Sequence, residues 1–189
     1  MKNHLFKLLA LLLLLCGAAQ AQDGFESVRC GSDIPRALAG KRMSDEPVVK
    51  IEGRHIALGL IDLGGDEISD RLNSTSWSIC GNEYMLLSDT RGIIHDVLAI
   101  PSHSRTSPEF AGGICQANGR QVAGTIVAVL DNRAAGSGGN FSHYSPQDRT
   151  LLPAISAWKI DEKLAKFVAL SSHGLSCPRG GIITADGGL

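Results

Sequence analysis

Three stretches in the middle of the chain carry the hydrophobic pattern of neighbouring β-strands. Residues 76–80, 83–88 and 93–100 are rich in apolar, β-branched and aromatic side chains. The short connectors at 81–82 and 89–92 contain glycine, asparagine and aspartate, which tolerate the backbone angles of tight turns. The pattern therefore predicts a three-stranded antiparallel meander.

The same alternation predicts a second hairpin further along the chain. Residues 114–130 contain Asn118 and Gly119, a pair typical of a two-residue turn. The stretch 125–130 is continuously apolar, which is the pattern of a central strand covered on both faces. This hairpin is expected to extend the sheet.

A last hairpin is predicted from residues 155–160 and 166–170, which flank a charged connector. Side chains on a strand alternate between its two faces. Trp158 and Ile160 are therefore expected on one face and Lys159 on the other.

The first half of the mature chain carries weaker patterns. Residues 34–39 predict a short helix, with Ser32 or Asp33 as its cap and a proline in its first turn. Residues 47–61 predict one bent or two short strands, the glycine pair at 64–65 a chain break, and residues 66–72 a short helix.

Together these elements predict a β-rich α+β fold. We expect a single domain of seven to nine short antiparallel strands, arranged as a sheet or a small barrel, with one or two short helices. Residues 22–189 leave 168 residues for this domain, which is enough for one hydrophobic core.

The first 21 residues have the order of a secretory signal peptide. Lys2 and Lys7 precede an apolar run over residues 8–19, and Ala19 and Ala21 form a small-residue cleavage site. The 12-residue run is shorter than the roughly 20 residues of a membrane-spanning helix. The sequence predicts cleavage before Gln22, a mature chain without a membrane span, and export to the periplasm or the extracellular space.

Charge argues against two classes of partner. Two of the 18 basic residues and none of the 19 acidic residues lie in the leader, so the mature chain carries a net charge of −3. Nucleic acids and anionic membranes are recognised by concentrated basic surfaces. Neither partner is expected, and a protein or envelope partner is favoured instead.

The mature chain retains four cysteines, and an even number in an exported chain predicts disulfides. Their wide spacing argues against a zinc site. Among the three connectivities, Cys80–Cys115 with Cys30–Cys177 is favoured, because the first pair borders the central hairpins and the second brackets the domain. The four residues are Cys30, Cys80, Cys115 and Cys177.

Residues 132–150 form the longest turn-rich stretch of the chain. Loops of more than about 12 to 15 residues are uncommon in compact domains and are often functional. Two aromatic residues within this polar, glycine-rich loop would supply apolar contact area. The residues predicted to bind a partner are Asn140, Phe141, His143 and Tyr144.

No catalytic or metal-binding constellation is legible in the sequence. Serine precedes histidine at 102–103, 142–143 and 172–173, but adjacent residues of a strand point to opposite faces. The histidines are scattered, and the glycine-rich loop lacks the lysine of a phosphate-binding loop. No catalytic residue, metal ligand or cofactor is therefore assigned.

These observations predict a secreted or periplasmic binding module without catalytic activity, for example an inhibitor or an envelope accessory protein. The alternative is a small secreted hydrolase that uses one of the loop histidines, His103, His143 or His173. Catalysis requires polar groups that converge in a pocket, whereas a binding module requires a shaped surface. The two hypotheses therefore differ in what should surround these histidines.

Overall fold

The structure is a computed structural model, and it describes residues 25, 28–43, 59–101, 109–113, 115–131 and 150–178. Within these ranges the chain forms one short helix and eleven strands, and every strand pair is antiparallel. The elements are α1 (Ile34–Leu38), β1 (Ile61–Ser69), β2 (Leu72–Ile79), β3 (Asn82–Asp89), β4 (Ile94–Ala99), β5 (Glu109–Gly113), β6 (Gln116–Ala117), β7 (Arg120–Gln121), β8 (Ile126–Leu130), β9 (Leu151–Asp161), β10 (Lys166–Leu170) and β11 (Leu175–Pro178).

The first sheet has the order β1-β2-β3-β4, and its last three strands confirm the predicted meander. The turn between β2 and β3 lies at Cys80 and Gly81, both with positive φ, one residue earlier than predicted. Helix α1 also confirms its prediction. The Asp33 side chain caps it by accepting a hydrogen bond of 3.1 Å from the Arg36 amide.

The predicted helix at residues 66–72 is wrong, because most of that stretch belongs to strand β1. The glycine pair does not break the chain either: Gly64 has a φ of 99° beside a register shift, and Gly65 pairs with Thr75 of β2. A β-bulge absorbs an extra residue and lets pairing continue. Pairing with β2 therefore overrides the local helical pattern.

The second sheet has the order β5-β8-β9-β11-β6-β7, with β10 also paired to β9. Strand β9 pairs with β8 along one edge, and with β10 and β11 along the two halves of its other edge. The sheet curls like half of a barrel. The predicted hairpin of β9 and β10 and the turn at Asn118 and Gly119 are confirmed, but that turn joins only β6 and β7. The apolar stretch predicted as a central strand forms β8, which lies between β5 and β9 rather than in that hairpin.

Three hydrophobic cores divide the molecule into layers. The helix-side core lies between α1 and the first sheet, the inter-sheet core lies between the two sheets, and the curl core lies within the second sheet. Strand β3 contributes to two of them, because Leu86 faces the helix-side core whereas Met85 and Leu87 face the inter-sheet core. The antiparallel, β-rich prediction is confirmed, while the α+β label fits only loosely, since α1 has five residues.

The four cysteines form two disulfides, Cys30–Cys80 and Cys115–Cys177. The favoured pairing of Cys80 with Cys115 and of Cys30 with Cys177 is therefore wrong. Cys115 and Cys177 flank the paired residues of β6 and β11, so both belong to the second sheet. Cys80 ends β2 and packs against the helix-side core, beside the segment that carries Cys30.

Two intramolecular disulfides are typical of proteins that fold in an oxidising, exported environment. Within the described ranges, no helix has the length and apolar character needed to cross a membrane.

One half-buried carboxylate joins the two sheets. Asp96 of β4 accepts a hydrogen bond of 2.8 Å at Oδ2 from the backbone amide of Phe167 in β10. Its other oxygen, Oδ1, accepts from the Val97 amide at 3.0 Å. Phe167 also packs against the inter-sheet core, so this contact fixes how the two sheets align over their shared core.

We expect Asp96→Ala to lower the free energy of unfolding by about 1–3 kcal/mol, because it leaves the Phe167 amide without its acceptor. Chemical denaturation measures this change. Asp96→Asn is the matched control, since it keeps one acceptor oxygen and should cost less. An alanine variant as stable as the wild type would show that the contact does not hold the sheets.

Candidate functional site

The residues predicted to bind a partner lie outside the described part of the chain. Asn140, Phe141, His143 and Tyr144 all belong to residues 132–149, which the structure does not describe. Their role stays a prediction.

The loop histidines of the hydrolase hypothesis are only partly described. His103 and His143 lie outside the described ranges. His173 lies in the turn before β11, where its backbone amide donates to Ser171 Oγ at 3.3 Å. Among the described residues, no hydrogen bond or ion pair reaches the His173 ring, so the arrangement that would support a nucleophilic serine is not seen there.

A polar cleft of about 440 Å³ lies on the first sheet. It occupies the face that also carries the helix-side core, because Thr75 shares a face of β2 with Trp77. Met43 forms a wall, with its Sδ 3.8 Å from Thr75 Oγ1. The lining residues are Met43, Gly65, Asp66, Glu67, Asn73, Ser74, Thr75, Ser88, Asp89, Thr90 and Gly92.

Three polar residues form one row across the cleft. Glu67 of β1 pairs directly with Asn73 of β2, and Asn73 pairs directly with Ser88 of β3. Residues directly opposite each other in antiparallel strands share a face, with Cβ atoms roughly 4.5–5.5 Å apart. A carboxylate, an amide and a hydroxyl therefore stand side by side on the cleft floor.

Gly65 allows the backbones of β1 and β2 to approach each other closely beside this row. A Cβ at this position would collide with the Ser74 backbone oxygen and would lie 2.9 Å from Thr75 Cγ2. Gly65 pairs with Thr75 in the next row, and the place that its Cβ would take is filled by atoms of β2. Close approach of the two backbones thus requires glycine here.

The row has unused hydrogen-bonding capacity. Ser88 is 4 % exposed as a residue, and its hydroxyl has no hydrogen-bond partner among the described residues. The hydroxyl oxygen is nevertheless open to the cleft, since the fully buried unpartnered polar atoms of the described side chains are Trp77 Nε1 and Ser156 Oγ. The half-buried Asn73 amide and the exposed Glu67 carboxylate also make no side-chain hydrogen bond there. By contrast, the 1 % exposed Ser74 donates from Oγ to the backbone oxygen of Asp66 at 3.5 Å.

The turn between β3 and β4 closes one end of the cleft, and Asp89 organises it. Its Oδ1 accepts from the Arg91 and Ile93 amides at 2.9 and 3.1 Å. Its Oδ2 accepts from Arg91 Nη2 at 2.9 Å and lies 3.3 Å from His95 Nε2. Burial raises the pKa of Asp89, but the hydrogen bonds from the Arg91 side chain and from the two amides outweigh it, and the net pKa lies well below the ordinary range.

The chain matches no known protein-family model, no curated protein and no solved structure. The chemistry of the cleft must therefore be derived from its own side chains. Among the described residues, no three histidine, cysteine, aspartate or glutamate side chains are grouped so as to hold a metal ion. The hydroxyls of Ser88 and Thr75 contact no histidine or carboxylate among the described residues; the described contact of Thr75 Oγ1 is with Met43 Sδ.

Sequence reasoning missed the row of Glu67, Asn73 and Ser88. Residues 66–72 were expected to be helical, which removes Glu67 from the sheet. The available signal was the polar composition of residues 73–76, because four polar residues in succession are unusual for a strand between two others. Only the register across β1, β2 and β3 brings the three side chains together.

We expect Asp89→Asn to lower the free energy of unfolding at pH 7 by about 1–2 kcal/mol, because charged hydrogen bonds are lost. A carboxyl with a lowered pKa in the folded state stabilises above its unfolded pKa of about 3.9. That stabilisation declines as the pH falls below about 4, because the unfolded chain then binds the proton, and it is lost fully only when the pH falls through the much lower pKa of the folded state. Denaturation at pH 7 and pH 3 measures the difference between variant and wild type, which should shrink at pH 3. An equal difference at both values would contradict the assigned role of the charge.

Proposed function

We propose that the protein is an exported, non-catalytic binding module and that the polar cleft on the first sheet is a ligand-binding surface. The observation that carries the proposal is the largely buried Ser88 side chain, whose hydroxyl is open to the cleft, has no described partner and stands in a row with Asn73 and Glu67. A volume of about 440 Å³ suits a small ligand or one side chain of a larger partner.

The Ser88 side chain lines the cleft and is otherwise almost fully buried, so its hydrogen-bonding capacity is directed at whatever occupies the cleft. A ligand that hydrogen-bonds to Ser88 and Asn73 would supply the missing partners. The unused polar groups therefore support a binding role.

The absence of catalysis is proposed from the same cleft. A nucleophile needs an adjacent base, and the described contacts place none beside Ser88. Asp89 and His95 contact each other at 3.3 Å, but Arg91 shares the same carboxylate oxygen. Export to the periplasm or the extracellular space is proposed from the leader, and the two disulfides fit that environment.

We expect Ser88→Ala to leave the free energy of unfolding unchanged or to raise it, because a hydroxyl without a described partner is removed. The matched control Ser74→Ala should lower it, since that hydroxyl has a partner. Denaturation of both variants measures this contrast. A Ser88→Ala protein less stable than Ser74→Ala would show that the Ser88 hydroxyl is already satisfied.

Binding is measured on the same variants by NMR titration with a panel of N-acetylated amino-acid amides and monosaccharides. At least one probe should shift the amides of the cleft residues saturably, and Ser88→Ala should weaken that probe about tenfold. Chromogenic esters, peptides and glycosides should not be turned over. Turnover by the wild type would support the hydrolase instead.

The loop at residues 132–150 is the second proposed contact surface. Replacing both Phe141 and Tyr144 by alanine should weaken binding of a protein partner by more than about 2 kcal/mol, because loop aromatics supply apolar area at an interface. The melting temperature should stay nearly unchanged. Capture of the partner from envelope extract, followed by its titration, measures the loss of binding, and thermal denaturation measures the melting temperature. Lost thermal stability with unaltered capture would show that the rings serve the fold.

A further inference from the structure

The cleft carries a one-sided charge distribution. Three of its lining residues, Asp66, Glu67 and Asp89, are acidic, and no lysine, arginine or histidine is among the described residues that line it. Asp89 is already engaged by Arg91. Asp66 pairs with Ser74, so its side chain belongs to the other face of the sheet. Glu67 pairs with Asn73 on the cleft face and makes no ion pair among the described residues, so it is the carboxylate left to act on a ligand.

The largely buried Ser88 side chain, whose hydroxyl is open to the cleft, is an independent indication of a ligand. It is 96 % shielded from solvent, lines the cleft, and has no described hydrogen-bond partner. The occupant must therefore bring hydrogen-bonding groups as well as charge. Ser88 Oγ, Asn73 Oδ1 and the Glu67 carboxylate all accept hydrogen bonds.

This set of groups discriminates between ligand classes. An anion would meet the Glu67 carboxylate with no cation among the described lining residues to offset it. A calcium ion takes six to eight oxygen ligands and usually several carboxylates, and the described residues contain no metal-binding group of three. An organic cation with several N–H donors satisfies both the charge and the acceptors.

We propose that the cleft binds a guanidinium group, as carried by an arginine side chain. A guanidinium directs five N–H donors outward in one plane. It can therefore bridge acceptors on neighbouring strands, which lie about 4.8 Å apart, whereas an ammonium is a point charge. The Met43 wall offers an apolar surface to the methylene stem of the same side chain.

This inference rests on the proposed binding function, and its test uses two probes of nearly the same shape. N-acetyl-arginine amide carries the guanidinium, and N-acetyl-citrulline amide replaces it with a neutral urea. NMR titration of the mature protein should give saturable binding of the arginine probe, with the citrulline probe about tenfold weaker or more. Added salt should weaken the arginine probe selectively.

Glu67→Gln should weaken the arginine probe about tenfold while leaving the melting temperature unchanged, because Glu67 is exposed and unpaired among the described residues. Asp70→Asn is the matched control. It removes the same unit of charge from the exposed turn beside β1, outside the cleft lining, and should leave binding intact. An equal loss of affinity in both variants would show that binding depends only on the net charge of the protein, and it would overturn the proposal.

The remaining outcomes separate the two proposals. If citrulline or a monosaccharide binds as well as arginine and Ser88→Ala weakens it, the cleft is a binding site but not a guanidinium site. If no probe shifts the cleft amides of the wild type, both proposals fail. If arginine alone binds and Glu67→Gln weakens it, both stand.

Discussion

The structure depends on the burial of strand β3 on both of its faces. Leu86 packs into the core beneath α1, whereas Met85 and Leu87 pack into the core between the sheets. A strand buried on both faces needs a packed layer on each side. The helix-side segment and the second sheet are therefore both required to cover β3. Deleting a buried leucine from such a strand typically costs about 2–5 kcal/mol, which shows how strongly this arrangement is held.

The two disulfides and the Asp96–Phe167 hydrogen bond hold different parts of the structure together. The disulfide Cys30–Cys80 fastens the helix-side segment to the first sheet, and Cys115–Cys177 fastens two parts of the second sheet. Neither disulfide crosses the inter-sheet core. Alignment across that core therefore relies on apolar contact and on the Asp96–Phe167 hydrogen bond, which is the directional link between β4 and β10. Apolar burial is strong but non-directional, so a single well-placed carboxylate can decide the relative position of the sheets.

Local patterns in the sequence were sufficient for the elements whose turns and hydrophobic faces lie close together in the chain. The meander, the hairpin at Asn118 and the capped helix α1 are of this kind. Strand β1 was missed because its glycines resemble a chain break until the bulge that accommodates them is known. The disulfide pairing was missed for a different reason: strand order, which no local pattern contains, decides that Cys115 lies beside Cys177. The cleft could not be predicted for the same two reasons. Its lining includes strand β1, which was missed, and it depends on the register across three strands, which no local pattern contains.

The position of the cleft follows from where the hydrophobic pattern of β3 ends. Tyr84 and Leu86 on the helix side are covered by the core that contains α1, but the next residue on that face is Ser88. Its neighbours across the sheet, Asn73 and Glu67, are polar as well. The sheet continues there because backbone pairing does not depend on apolar side chains, while the apolar layer above it stops. The same strand that organises the core thus presents, near its end, a largely buried serine whose hydroxyl opens into the cleft and forms no hydrogen bond with the described residues.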